Sequence, residues 1–283
     1  MTPLRQKMID AMHVRGMSPL THRSYLSAVT DLAKYYHRSP DQMSGEELQA
    51  FFLYLVKERH LSPSTCHLYL NALRFFYLRV LDRDSFGVCL QVPKQEQRIP
   101  ELLMRSEVGR IISATNNIKH RMMLAICYGC GLRVSELVNL QVRHIDGERR
   151  LLRVEQGKGA KDRAVIISPT LLQLLREYWR LMRPPNWLFP SSYNKTSSLS
   201  IATAQKTFHK AKQLAGIQKV GGIHSLRHAY ATHQLEDGMP IHQLQRLLGH
   251  QNIQSTLRYA HWVPGYQEGK AGGDLLAKLE LSS

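Results

Sequence analysis

Acidic residues are scarce. Against 38 Lys and Arg the chain sets only 22 Asp and Glu over 283 residues, a formal net charge of +16. That imbalance speaks against a cationic partner and for a polyanion. Nucleic acid comes before an anionic membrane surface, because the basic residues are dispersed instead of gathered on one amphipathic helix. Long apolar runs are missing too: none reaches the roughly 18–20 residues needed to span a bilayer. Behind Met1-Thr2-Pro3-Leu4-Arg5-Gln6-Lys7 there is no apolar core of a signal peptide. The expectation is a cytoplasmic protein with no membrane partner. Cysteine is sparse, and Cys66, Cys89, Cys127 and Cys130 suit reduced thiols in that compartment. Cys127-Tyr128-Gly129-Cys130 is formally a CxxC, but a zinc site needs further ligands and there is no second pair. Neither metal nor redox work is expected. Internal repeats and low-complexity tracts are also lacking.

What is present is length for two cores, at roughly 100–200 residues per domain. Residues 1–82 read as four helices. Met8 and Met12 mark the first. Ser18-Pro19 caps the second, with Tyr25, Ala28, Val29, Leu32 and Tyr36 at helical spacing. Ser44-Gly45-Glu46-Glu47 begins a capping box ahead of Leu48, Phe51, Phe52, Leu55 and Val56. Ser62-Pro63 opens the fourth, whose Phe75-Phe76-Tyr77 stripe reads as a buried face in preference to a base-stacking platform. Periodicity fails over 83–100, where Gly87, Pro93 and Pro100 punctuate a polar run. Helices resume from Ser106 to Leu140. The period then changes to two in Leu152–Glu155 and Arg163–Ile167, strands flanking the hairpin loop Gly157-Lys158-Gly159-Ala160-Lys161-Asp162. Further helices are expected over 170–182, 201–215, 225–236 and 240–248, with a last one carrying Tyr259.

Five local patterns could carry chemistry. Arg133 follows Gly131-Leu132 at a helix start, where a guanidinium can fork onto two phosphate oxygens. Glu136, three residues on, can orient a neighbour. A surface Arg–Glu pair is the plain alternative. His224, Arg227 and His228 share a helical stripe behind Gly221-Gly222. That stripe could also be a solvated face. Lys158 stands between glycines at the hairpin tip, where a mobile ammonium can give up a proton or merely touch a backbone phosphate, with Lys161 its rival. Gly249 reads as a helix stop that throws His250 off the helix end. Tyr259 is, by itself, most simply a packed phenol.

In combination these residues resemble the tyrosine recombinase (phage integrase) family. The matching motifs are Gly131-Leu132-Arg133-Val134-Ser135-Glu136-Leu137, Gly157-Lys158-Gly159, His224-Ser225-Leu226-Arg227-His228, Leu248-Gly249-His250, and a tyrosine nine residues beyond that histidine. The likeness is to the short bacterial integrases and chromosome-dimer resolvases of the Xer type. It implies a mainly α fold with a small β-sheet. Residues 1–90 would form a helical, SAM-like DNA-clamp domain, 91–100 a linker, and 101–283 a mixed α/β catalytic domain with a C-terminal tail. It implies site-specific cutting and rejoining of double-stranded DNA through a 3′-phosphotyrosine. Tyr259 would attack, Arg133 and Arg227 clamp the phosphate with His250, His224 take the tyrosine proton, Lys158 protonate the 5′-oxygen, and Glu136 support. No cofactor or metal is implied. The partners would be DNA carrying recombination sites and further copies of the chain, as a tetramer. Leu275, Leu276 and Leu279 in the tail would dock on a neighbouring subunit. A type IB-like topoisomerase and a DNA-binding protein without catalysis are the alternative readings.

Overall fold

The computed structural model describes residues 2–87, 100–155, 162–263, 265–266 and 275–279. The chain divides into two compact units, Met1–Arg98 and Ile99–Ser283. Of the stretch expected as a linker, all but Pro100 lies outside the described residues.

The first unit holds α1 (Pro3–Val14), α2 (Pro19–Tyr36), α3 (Gly45–Lys57) and α4 (Pro63–Phe75). Thr2, Ser18 and Ser62 each accept a hydrogen bond from a first-turn N–H, and each is followed by proline. Ser44 and Glu47 form a reciprocal capping box. The starts of all four helices are therefore local chemistry. Met8, Met12, Leu32, Leu48, Phe51, Leu73, Phe76 and Tyr77 close the core. The Phe75-Phe76-Tyr77 stripe is buried there, as expected of a core face. Val56, expected on the buried face of α3, is exposed instead. It stands one residue before the end of α3 and roughly 100° round the helix from buried Leu55. A π-turn, Phe76–Val80, extends α4, which simple helical periodicity does not reveal. It lets the Tyr77 hydroxyl reach the Pro40 carbonyl.

The second unit begins with α5 (Arg105–Ser113), α6 (Ile118–Gly129) and α7 (Val134–Val138). A three-stranded antiparallel sheet follows in the order β1 (Ile145–Asp146), β2 (Leu151–Val154), β3 (Arg163–Ile166). Leu151 pairs with Ile166 and Val154 with Arg163, so the two expected strands do form a hairpin. Its tip, 156–161, lies outside the described residues, and Lys158 and Lys161 with it. The two-residue β1 is too short to show a period, and sequence reading missed it. Then come α8 (Pro169–Met182), α9 (Ile201–Leu214), α10 (His224–Glu236), α11 (Ile241–Leu248) and α12 (Gln254–Trp262). Helices α6 and α10 form the centre. From Met122 to Tyr128 every side chain of α6 is buried, and α10 is buried almost throughout from Leu226 to Leu235. Helices covered on all sides need apolar or internally bonded residues all round, which both possess.

Cys127 and Cys130 belong to this core, and burial pushes each thiol up to about 12, far from a reactive thiolate. Among the described residues no group of three or more His, Cys, Asp or Glu is placed to hold a metal ion. Among them, too, no helix is long and apolar enough to cross a membrane. The described part of the tail, 275–279, packs on its own chain. Leu275, Leu276 and Leu279 are buried, Leu276 lies over Gly129 beside Leu171, and Lys278 donates to Asp237 at 2.6 Å.

Candidate active site

Glu136 is the hub of the site. Its side chain is 3% exposed and three guanidiniums face it. Arg133, the N-cap of α7, bonds it twice, through its backbone N–H to Oε2 and through Nη1 to Oε1, both at 2.8 Å. Arg163, the first residue of β3, forks onto both carboxylate oxygens at 2.7 and 2.8 Å. Arg227, on α10, stands 3.9 Å away. Burial alone would raise the Glu136 pKa. The Arg163 hydrogen bonds and charge, followed by those of Arg133, overcome it and hold the carboxyl at about 2. One carboxylate among three arginines leaves the pocket with a surplus of positive charge, which suits a phosphate.

The arginines also fasten the elements to one another. Arg163 Nε donates to the Leu247 carbonyl at 2.8 Å, tying β3 to the end of α11. Arg227 Nη1 donates to the Gly131 carbonyl at 2.6 Å, and Nη2 to the Leu248 carbonyl at 2.7 Å. Gly131 has φ +57°, and any Cβ there would collide with the Tyr230 ring. The loop before Arg133 can lie this close to α10 only as glycine. Arg227 is almost fully buried, and burial, then the Arg133 charge, lowers its pKa towards about 10. It stays charged at neutral pH.

Gly249 ends α11 in the left-handed region, and the His250 N–H bonds back to the Gln245 carbonyl. The expected helix stop is therefore there, and it delivers His250 to the pocket. Its Nε2 meets Arg227 Nη2 at 3.1 Å and its Nδ1 meets Thr256 Oγ1 at 2.9 Å. An arginine can only donate, so Nε2 accepts and the ring proton sits on Nδ1. Burial first, then the charges of Arg227 and Arg133, push the His250 pKa down to about 3, so the ring is neutral.

Tyr259 is buried on α12. Its ring lies parallel to His250, with centroids 6.2 Å apart, and edge-on to Trp262 at 5.2 Å. Burial raises its pKa, opposed by Arg227, Arg258 and Arg133. The hydroxyl lies 3.1 Å from His228 Nδ1. His224 is one turn back on the solvent-exposed end of α10, its ring edge-on to His228 at 4.7 Å.

The fold thus brings Arg133, Glu136, Arg227, His250 and Tyr259 into one pocket, with His224 at its rim. Lys158 lies outside the described residues. Sequence reading gave no role to Arg163, Thr256 or Trp262, and noted His228 only as part of the stripe. A signal for Arg163 existed: it shares the strand face of Val165 and Ile167, both buried, so the alternation turns an arginine inward.

Two family models match the chain, the phage integrase family over residues 101–264 and the phage integrase N-terminal SAM-like domain over residues 4–85. The integrase/recombinase y4qK of Sinorhizobium fredii is 41% identical over 260 residues, covering 92% of this chain and 84% of the relative. The tyrosine recombinase XerA of Pyrococcus horikoshii is 32% identical over 250 residues, covering 88% and 85%. Among solved structures, a XerA recombinase aligns over 91% of this chain and 92% of its own at TM-score 0.54 and 27% identity. A lambda integrase dimer bound to a COC′ core site shares the fold at TM-score 0.73, covering 89% and 95%, with 18% identity. With its catalytic and SAM-like regions both matched and these relatives extending over most of its length, the chain belongs to the phage integrase family, the tyrosine recombinases that cleave and rejoin DNA.

Proposed function

We propose that this chain recombines duplex DNA at specific sites, with Tyr259 as the nucleophile. The supporting observation is convergence. A phenol, two guanidiniums and a neutral imidazole come from α12, the cap of α7, α10 and the loop after α11, with Arg227 bonded to His250 and the His250 ring lying parallel to that of Tyr259. Chemistry on a phosphodiester needs charge neutralisation on the non-bridging oxygens, a nucleophile and a proton for the leaving oxygen. Arg133 and Arg227 supply the first, with His250 accepting from Arg227 and holding its guanidinium in place. Tyr259 forms a bond to phosphorus as the bond to the 5′-oxygen breaks, leaving a 3′-phosphotyrosine. Lys158, at the hairpin tip, protonates the 5′-oxygen. The covalent bond conserves the energy for rejoining, when the 5′-hydroxyl of a partner strand attacks the phosphotyrosine. No step calls for ATP or a metal ion.

The reading extends to partners. The SAM-like unit and the catalytic unit both bind the duplex. Copies of the chain assemble as a tetramer on paired recombination sites in the cytoplasm, in the service of a mobile element. The net charge of +16 supports a DNA partner. A XerH recombinase bound to a palindromic difH substrate shares the fold at TM-score 0.72 and 21% identity, covering 89% of this chain and 79% of its own.

The experiment is a nicked suicide duplex carrying a candidate site, from which the cut strand diffuses away and traps the adduct. Mass spectrometry of the trapped protein should find nucleotide on Tyr259. Nucleotide on any other residue overturns the assignment. Size analysis of the synaptic complex decides the tetramer.

A further inference from the structure

Tyr259 begins protonated, since burial holds its phenol above the usual range. Attack therefore requires a group to remove that proton. Family resemblance alone assigns this to His224, but the geometry does not favour it. His224 is at the exposed start of α10, and its ring meets His228 instead of the phenol. His228 lies on the same face one turn deeper. Its Nδ1 is 3.1 Å from the Tyr259 hydroxyl, inside hydrogen-bond reach, and Trp262 closes the ring edge-on at 5.7 Å.

We propose that His228 is the catalytic proton acceptor for Tyr259. This rests on Tyr259 being the nucleophile. The groups that act on His228 are His224 and Arg227 on its own helix and Arg258, Tyr259 and Trp262 on α12. Burial first, then His224, Arg227 and Arg258, lower its pKa to about 4, so at neutral pH the ring is uncharged. With the phenol donating, Nδ1 holds a lone pair and the ring proton is on Nε2. On attack the O–H bond of Tyr259 breaks, its proton passes to Nδ1, the phenolic oxygen bonds phosphorus, and the 5′-oxygen leaves with the proton from Lys158. On rejoining, the imidazolium returns the proton to the phenolate while the incoming 5′-hydroxyl gives its own back to Lys158.

The arrangement also times the base. In the free chain Arg227 and Arg258 oppose a positive imidazolium. A seated phosphodiester brings negative charge among them, which raises the proton affinity of His228. The base becomes effective when substrate arrives.

The test is single-turnover cleavage of the nicked suicide duplex across pH by the full chain. His228→Asn keeps an acceptor near the position of Nδ1 but cannot take a proton at these pH values. It should bind DNA as the parent does and cleave roughly a hundredfold or more slowly at neutral pH. Its rate should keep climbing with pH where that of the parent has levelled, because solvent hydroxide then removes the proton. A more acidic phenol, introduced as a fluorinated tyrosine at 259, should restore much of the lost rate. Cleavage by His228→Asn at the parental rate overturns the proposal. So does a slow variant whose pH profile keeps the parental shape and which the acidic phenol does not rescue, since that marks a positioning role. Should the variant fail to bind, the same fluorinated tyrosine in the otherwise native chain decides. Its cleavage rate must change with the acidity of the phenol if proton removal belongs to the slow step, and an unchanged rate overturns the proposal. Tyr259→Phe is run alongside. An adduct from it condemns the nucleophile itself, whereas no adduct from it with full activity from His228→Asn condemns only the acceptor.

Discussion

Tyr259 and Glu136 carry the sharpest consequences at the level of single residues. Tyr259→Phe removes one oxygen and leaves the ring between His250 and Trp262. It costs at most one hydrogen bond, about 1 kcal/mol. Thermal unfolding and DNA affinity should be close to those of the parent while covalent adduct falls to zero. Glu136 is a different kind of residue, because its removal strands Arg163 and Arg133 with unpaired charge in a buried pocket. Glu136→Ala should cost roughly 3–5 kcal/mol at neutral pH in chemical denaturation. The pH dependence has a definite sign. The folded-state pKa of Glu136 is lowered to about 2 from an ordinary 4.5. Its stabilisation is therefore complete above about pH 5 and drains away as pH falls towards 2. In a titration of stability, the gap between the parent and Glu136→Gln should narrow over that window. A gap that stays constant down to pH 2 would mean the carboxylate is not held by its arginines.

Two contacts between elements decide how the pocket is built. Gly131 lets the loop after α6 lie against Tyr230 of α10, and its carbonyl anchors Arg227. Gly131→Ala combines a strained positive φ with a collision, and both act on one catalytic anchor. Cleavage should fall more steeply than DNA binding, measured side by side on the same duplex. The second contact is the tail. Leu275, Leu276 and Leu279 are buried in the core of their own unit, Leu276 against Gly129 of α6 beside Leu171 of α8, and burying a leucine is worth roughly 1.5–3 kcal/mol. Removing residues 275–283 should lower the melting temperature of the isolated chain. A tail that docked only on a neighbouring subunit would leave that temperature unmoved and weaken synapsis alone. Because Lys278 pairs with Asp237, which also pairs with Arg105, the tail reaches the far end of the helix whose opposite end bears Arg227 and His228.

For the whole molecule the dominant quantity is charge. A formal +16 on a chain that works on DNA predicts counterion release as a main source of affinity. The logarithm of the association constant should fall linearly and steeply with the logarithm of salt concentration, whatever the sequence of the duplex. A flat dependence in filter binding or anisotropy would remove nucleic acid as the reason for the charge. The catalytic pocket is only a small part of that surplus, since Arg133, Arg163 and Arg227 there face the single carboxylate of Glu136. Binding and catalysis should accordingly separate: Tyr259→Phe leaves the salt slope unchanged.

Much of this protein was legible along the chain because the forces involved are local. Ser-Pro caps start α2 and α4 through the nearest N–H groups, Gly249 stops α11 by its left-handed backbone, and alternation marks the β2–β3 hairpin. Motif order pointed to Arg133, Arg227, His250 and Tyr259, since each keeps its chemistry within a few residues of a recognisable turn or cap. The rest depends on partners far apart in sequence. No spacing says that Arg163 reaches Glu136 and the Leu247 carbonyl at once, because a guanidinium finds its acceptors only after β3, α7 and α11 have packed. Nor could helical periodicity choose between His224 and His228, which share one face of α10. Only the approach of α12 decides which imidazole meets the phenol, and it places the Tyr259 hydroxyl on His228 because the deeper of the two rings is the one that α12 covers.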